Sequence, residues 1–135
     1  MASILTTKNL KDFPKRYAKG KKVVLVGGCF DILHPGHVEF LEKAKKAGDL
    51  LVVILESDQK VRLLKGERRP VHNQKERARI LSALTFVDYV VLLPFIREDQ
   101  DYDEEIKKIK PDVIAVTDGI SNYHHQRVSK LVGAK

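Results

Sequence analysis

The chain has 135 residues, of which 43% are hydrophobic and 32% charged, with a formal net charge of +7. That length supports one domain, residues 1–135, with a real core but not two. The lone Cys29 excludes an internal disulfide. No apolar run is long enough to span a membrane and no signal-peptide core opens the chain, so the cytoplasm is the expected location, with no membrane partner.

Residues 7–19 read as a short helix, with Thr7 as its cap, Leu10, Phe13 and Tyr17 on one apolar stripe, and Pro14 as an interruption. Gly20 pivots a turn into Val23–Val26, a continuous apolar run expected of a strand covered on both faces. Gly27 and Gly28 follow, then a polar loop, then a helix over 37–47 with Gly48 as its C-cap. Leu50–Leu55 is a second buried strand, 59–64 is helical, and Lys65–Pro70 is a mobile basic loop. Asn73 caps a helix over 74–84, with Glu76 at the capping-box position. Val87–Leu93 is a third strand, and 95–103 is acidic and irregular. Asp103–Lys110 is a short helix stopped by Pro111, Val113–Val116 is a fourth strand, and 122–132 is a last helix. This alternation predicts an α/β fold with a doubly wound parallel sheet, helices on both faces and right-handed crossovers. A missing final strand or a partner subunit would cover an open sheet edge, which suggests a symmetric homodimer.

The chemistry concentrates between the first buried strand and the helix after it. Glycines without Cβ let the chain turn sharply and let a ligand approach the backbone. The helix start offers unpaired N–H groups and a partial positive charge to an anion. Pro35 suits the first helical position, so His34 and His37 can face one phosphate. In open α/β sheets such a loop, at a strand's carboxyl end, is where ligands bind. The positive charge fits polyphosphate substrates drawn into a cleft. Basic residues are dispersed and carry no interleaved aromatic motif, so a nucleic-acid partner is not expected.

Gly28-Cys29-Phe30-Asp31-x-x-His34-x-Gly36-His37 resembles the signature of the nucleotidyltransferases of the cytidylyltransferase-like superfamily, whose His-x-Gly-His motif binds a nucleotide triphosphate. Lys65–Val71, Glu76-Arg77 and Val87–Val91 extend the resemblance to the nucleotidyltransferase domain of the bifunctional enzymes that make an ADP-heptose, a step of lipopolysaccharide core biosynthesis. Glycerol-3-phosphate cytidylyltransferases and archaeal FAD synthetases share the first motif. The resemblance implies a Rossmann-like fold and transfer of a nucleoside monophosphate, AMP from ATP by preference and CMP from CTP as the alternative, to a phosphorylated small molecule. Mg²⁺ would arrive through the triphosphate, with no metal site in the protein.

His34, His37, Lys65 and Arg77 are the implied catalytic residues. Gly28, Cys29, Phe30, Asp31, Gly36, Arg69, Thr117, Asp118, Gly119 and Ser121 join the two histidines in nucleotide binding. Asp31 reads more readily as a loop-holding acid than as a metal ligand, and Cys29 as packing. Asp58 is a weak candidate for the acceptor side. Asp118-Gly119-Ile120-Ser121 keeps the character of the cytidylyltransferase pattern, but Asn122-Tyr123 departs from it, so the base and the acceptor stay open. The competing class is a binding module without turnover, a nucleotide sensor or RNA binder. A Rossmann dehydrogenase is disfavoured because the first loop lacks Gly-x-Gly-x-x-Gly.

Overall fold

In the computed structural model, which describes residues 1–116, five parallel strands form one sheet in the order β1-β4-β3-β2-β5. They are β1 (Ser3–Thr6), β2 (Val23–Gly28), β3 (Leu50–Leu55), β4 (Tyr89–Leu92) and β5 (Val113–Ile114). The helices are α1 (Pro35–Lys45), α2 (Asp58–Lys65), α3 (Gln74–Ser82) and α4 (Asp99–Ile109). All six residues of β3 are buried, as its unbroken apolar sequence requires. Strand periodicity splits the core in two. Val23, Leu25, Leu50, Val52 and Ile54 pack with Leu10, Phe13, Ile106 and Ile109. Val24, Val26, Leu51, Val53 and Leu55 pack with Leu41 and Ala44 of α1 and with Ala78 and Leu81 of α3. Helices therefore cover both faces, and the expected doubly wound α/β architecture is present. Each fully buried aliphatic side chain contributes about 1.5–3 kcal/mol to this core.

The register sets the site. Gly28 pairs with Leu55 and Leu55 with Leu92, so β2, β3 and β4 end level. Gln74 Nε2 donates to the Leu55 and Leu93 carbonyls at 3.0 and 2.8 Å, binding the ends of β3 and β4 together.

Several boundaries differ from the expectations. β1 was not foreseen: only Leu5 of its four residues is buried, so neither alternation nor an apolar run marks it. It is an edge strand in register with β4. The stretch expected as one helix over 7–19 is a 3₁₀ turn at Thr7–Asn9 and a π-type turn at Pro14–Ala18. Left-handed Asp12 (φ 58°) and Lys19 (φ 42°) break it, yet Leu10 and Phe13 are fully buried. Helix α1 begins at Pro35 and its C-cap is Lys46, not Gly48. Gly48 instead sits where a Cβ would lie 2.7 Å from Val24 Cγ2 and 2.9 Å from the Lys22 carbonyl oxygen. Helix α4 starts at Asp99, four residues early, because acids favour a helix N-terminus rather than breaking it. The capping box of α3 is as expected, with Asn73 and Glu76 exchanging bonds of 2.9 Å.

Candidate active site

Gly27 and Gly28 are the last residues of β2 and not a turn; the left-handed residue is Phe30, at φ 45°. What the glycines supply is space. A Cβ on Gly28 would lie 2.9 Å from the Phe30 ring, and that ring packs edge-on against His37 at 5.5 Å. The strand end, Phe30 and His37 thus form one packed unit.

His34 is the N-cap of α1. Its Nδ1 accepts from the Gly36 N–H at 3.0 Å, and its own backbone N–H donates to His37 Nδ1 at 3.3 Å. The two rings stack with centroids 3.8 Å apart. Because both Nδ1 atoms accept, each neutral ring carries its proton on Nε2. Gly36 is required by this stack: a Cβ there would lie 2.8 Å from His34 Cε1. Desolvation pushes the His37 imidazole below the usual histidine range, with His34 and Lys65 adding to the effect and the Ile32 backbone opposing it.

Asp31 is buried and ties two loops together. Its carboxylate accepts from the Val71 and His72 N–H groups at 2.9–3.0 Å and from Arg69 Nε. Burial alone would raise this carboxyl, but the His72 and Val71 N–H groups and Arg69 outweigh it and hold it at about 2. These bonds fix the segment after Gly66, which is left-handed at φ 108° and ends α2. Arg69 is thereby committed to Asp31, while Lys65 and Arg68 are exposed. Lys65 lies within electrostatic reach of both His37 and Cys29.

Arg77 is fully buried. Its Nε donates to the His72 carbonyl at 3.0 Å, one terminal nitrogen to the Cys29 carbonyl at 2.8 Å and the other to Asp58 at 2.6 Å. All three nitrogens thus hold protein groups, and Asp58 faces Arg77. Cys29 is half-buried and its thiol is pushed up, by burial first and then by Glu56. Among the described residues no group of three or more His, Cys, Asp or Glu side chains is placed to hold a metal. Thr117, Asp118, Gly119 and Ser121, and the helix expected over 122–132, lie outside the described residues.

The sequence reading did not single out Glu56, which accepts from Tyr102, or Gln74. The signal for Glu56 was present: an acid immediately after a wholly apolar strand, at its carboxyl end.

A parallel sheet with paired histidines at the N-terminus of the helix that follows a central strand places the chain in the class of open α/β proteins, whose ligand sites lie at strand carboxyl ends. Within that class, the chain matches the cytidylyltransferase-like family over residues 25–133, and it belongs to that family. Among curated relatives, the bifunctional protein HldE of Wolinella succinogenes is 48% identical over 112 residues, 82% of this chain and 23% of the relative. That of Campylobacter concisus is 56% identical over 95 residues, 70% of this chain and 19% of the relative. The chain thus spans about a fifth of the length of these relatives. The crystal structure of the lipopolysaccharide core biosynthesis protein from Thermoplasma volcanium superposes with a TM-score of 0.68 at 28% identity, covering 86% of this chain and 92% of that one. The pantoate-beta-alanine ligase of Francisella tularensis shares the fold, with a TM-score of 0.61 at 16% identity over 98% of this chain and 62% of that one. No helix of the described residues is long and apolar enough to cross a membrane.

Proposed function

We propose that this chain is a nucleotidyltransferase that moves AMP from ATP to a phosphorylated sugar-like acceptor. The observation that carries the reading is the stacked His34–His37 pair at the start of α1, beside the end of β2. An acceptor phosphate oxygen forms a bond to the α-phosphorus while the bond to pyrophosphate breaks in line, and pyrophosphate leaves. The Nε2–H groups of His34 and His37 donate to phosphate oxygens, and Lys65 places a cation beside them. Catalysis is positioning and charge stabilisation, with no covalent enzyme intermediate. Mg²⁺ comes as part of the nucleotide substrate; Asp31 is occupied by Arg69, Val71 and His72. Arg77 serves by holding the Cys29 and His72 carbonyls that shape the two loops. Gly28, Phe30 and Gly36 keep the histidines in place, and Thr117, Asp118, Gly119 and Ser121 remain candidates for the nucleoside. ATP is favoured over CTP by the resemblance of Lys65–Val71, Glu76-Arg77 and Val87–Val91 to the enzymes that make an ADP-heptose. We place the enzyme in the cytoplasm, and a homodimer would shield an open sheet edge.

The test is pyrophosphate release with each of ATP, CTP, GTP and UTP, with Mg²⁺, against a panel of phosphorylated acceptors. Release with ATP and a sugar phosphate is expected. Release with CTP alone would replace the donor. Silence with every pair, despite nucleotide binding, would overturn the transferase reading in favour of a sensor.

A further inference from the structure

Glu56 follows β3 directly, and its N–H donates to the Gly28 carbonyl at 3.1 Å, so it stands beside Cys29 on the β3 side of the loop. Its carboxylate accepts from the Tyr102 hydroxyl, 2.8 and 2.9 Å from its two oxygens. Tyr102 comes from α4, on the face of the sheet opposite α1 and α3. Lys60 of α2 donates to the Ile96 carbonyl at 3.1 Å, and its ammonium lies 5.3 Å from the centre of the Tyr102 ring. The phosphate chemistry uses none of these groups. An acid near a site that gathers phosphates opposes their binding unless it receives hydrogen-bond donors of its own. Burial pushes the Glu56 carboxyl up, while the Tyr102 hydroxyl and Lys60 pull it back. A carboxylate offers about four lone-pair positions and a phenol donates one hydrogen, so the half-buried Glu56 retains acceptor capacity toward solvent. The in-line reaction requires the acceptor to enter opposite the leaving pyrophosphate. His34 and His37 stand at the start of α1, after β2, while Glu56 stands at the end of the neighbouring strand β3, a separate side from which the acceptor can approach. Lys60 stands over one face of the Tyr102 ring.

We propose that Glu56, oriented by Tyr102, accepts hydrogen bonds from neighbouring hydroxyls of the phosphorylated acceptor. This rests on the nucleotidyltransferase reading. Glu56 is then an acceptor-binding residue, and Tyr102 is a positioning residue.

The experiment is steady-state kinetics of the wild type, Glu56→Gln and Tyr102→Phe with Mg²⁺-ATP, using mannose 1-phosphate, glycerol 3-phosphate and FMN as acceptor probes. The wild type should use a hydroxylated probe. Glu56→Gln should raise that acceptor's KM by about tenfold or more, the loss of a charged hydrogen bond, with the KM for ATP and the melting temperature unchanged. Tyr102→Phe should raise the acceptor KM less. An unchanged acceptor KM in Glu56→Gln, or both KM values and the melting temperature moving together as for a simple strut, would overturn the assignment. A wild type that binds ATP but transfers to no probe would instead remove the transferase reading itself, and this assignment with it.

Discussion

His37 combines two properties in one side chain. Its Nδ1 is engaged by the His34 N–H, and its ring is wedged between Phe30 and His34. It can therefore aim Nε2 at an anion without further ordering. His37→Ala should lower turnover by about 10²–10³, with the melting temperature held close to the parent; pyrophosphate release and thermal unfolding on the same preparation check both. Asp31 makes the opposite trade, spending its charge inside the protein. Its folded carboxyl lies at about 2 against an ordinary 3.8, so its contribution is present above pH ~4 and is lost as pH falls toward 2. Asp31→Asn should cost about 2 kcal/mol at neutral pH, and the gap to the parent should vanish near pH 2 in urea titrations. A gap that persists at that pH would show that Asp31 acts by shape and not by charge. Arg77 is buried with its three nitrogens engaged, so Arg77→Met, which strands Asp58 and the two carbonyls, should destabilise by about 3–5 kcal/mol.

At the level of elements, the site is made by where strands stop and helices start. Two glycines separate these roles. At Gly36 a Cβ would strike the His34 ring, and at Gly48 it would strike Val24 and the Lys22 carbonyl oxygen at the other end of the sheet. Gly36→Ala should reduce turnover far more than stability. Gly48→Ala should cost about 1–3 kcal/mol through overpacking and leave turnover per folded molecule intact. Kinetics paired with denaturation separates the two, and equal effects in both variants would remove the distinction. These close approaches could not be read from the chain, because glycine in a sequence signals freedom and not the neighbour that demands it. The capping box of α3 could be read, because Asn73 and Glu76 interact within one turn.

For the molecule as a whole, among the described residues the sheet is most exposed at β1, which has one buried residue and pairs there only with β4. Removing residues 1–6 should uncover the β4 edge and promote self-association, visible as a concentration-dependent rise in light scattering. The net charge of +7 acts at the same scale. For the proposed nucleotidyltransferase it would draw polyphosphates toward the cleft, so the KM for nucleotide should rise with ionic strength.

By itself the sequence determined the α/β class, the buried strands β2 and β3 and the strand-to-helix segment Gly28–His37. Their signals are local: apolar runs, caps and a fixed spacing of polar residues. Tertiary structure alone decided that Ser3–Thr6 is a strand, that Asp31 binds the segment 69–72, that Arg77 reaches the Cys29 carbonyl and that Tyr102 meets Glu56. Each joins residues from 38 to 86 positions apart. The physical reason is common to all of them: the sheet register brings distant strand ends level, and a buried charge or an unpaired strand edge then takes whichever partner that register puts within reach.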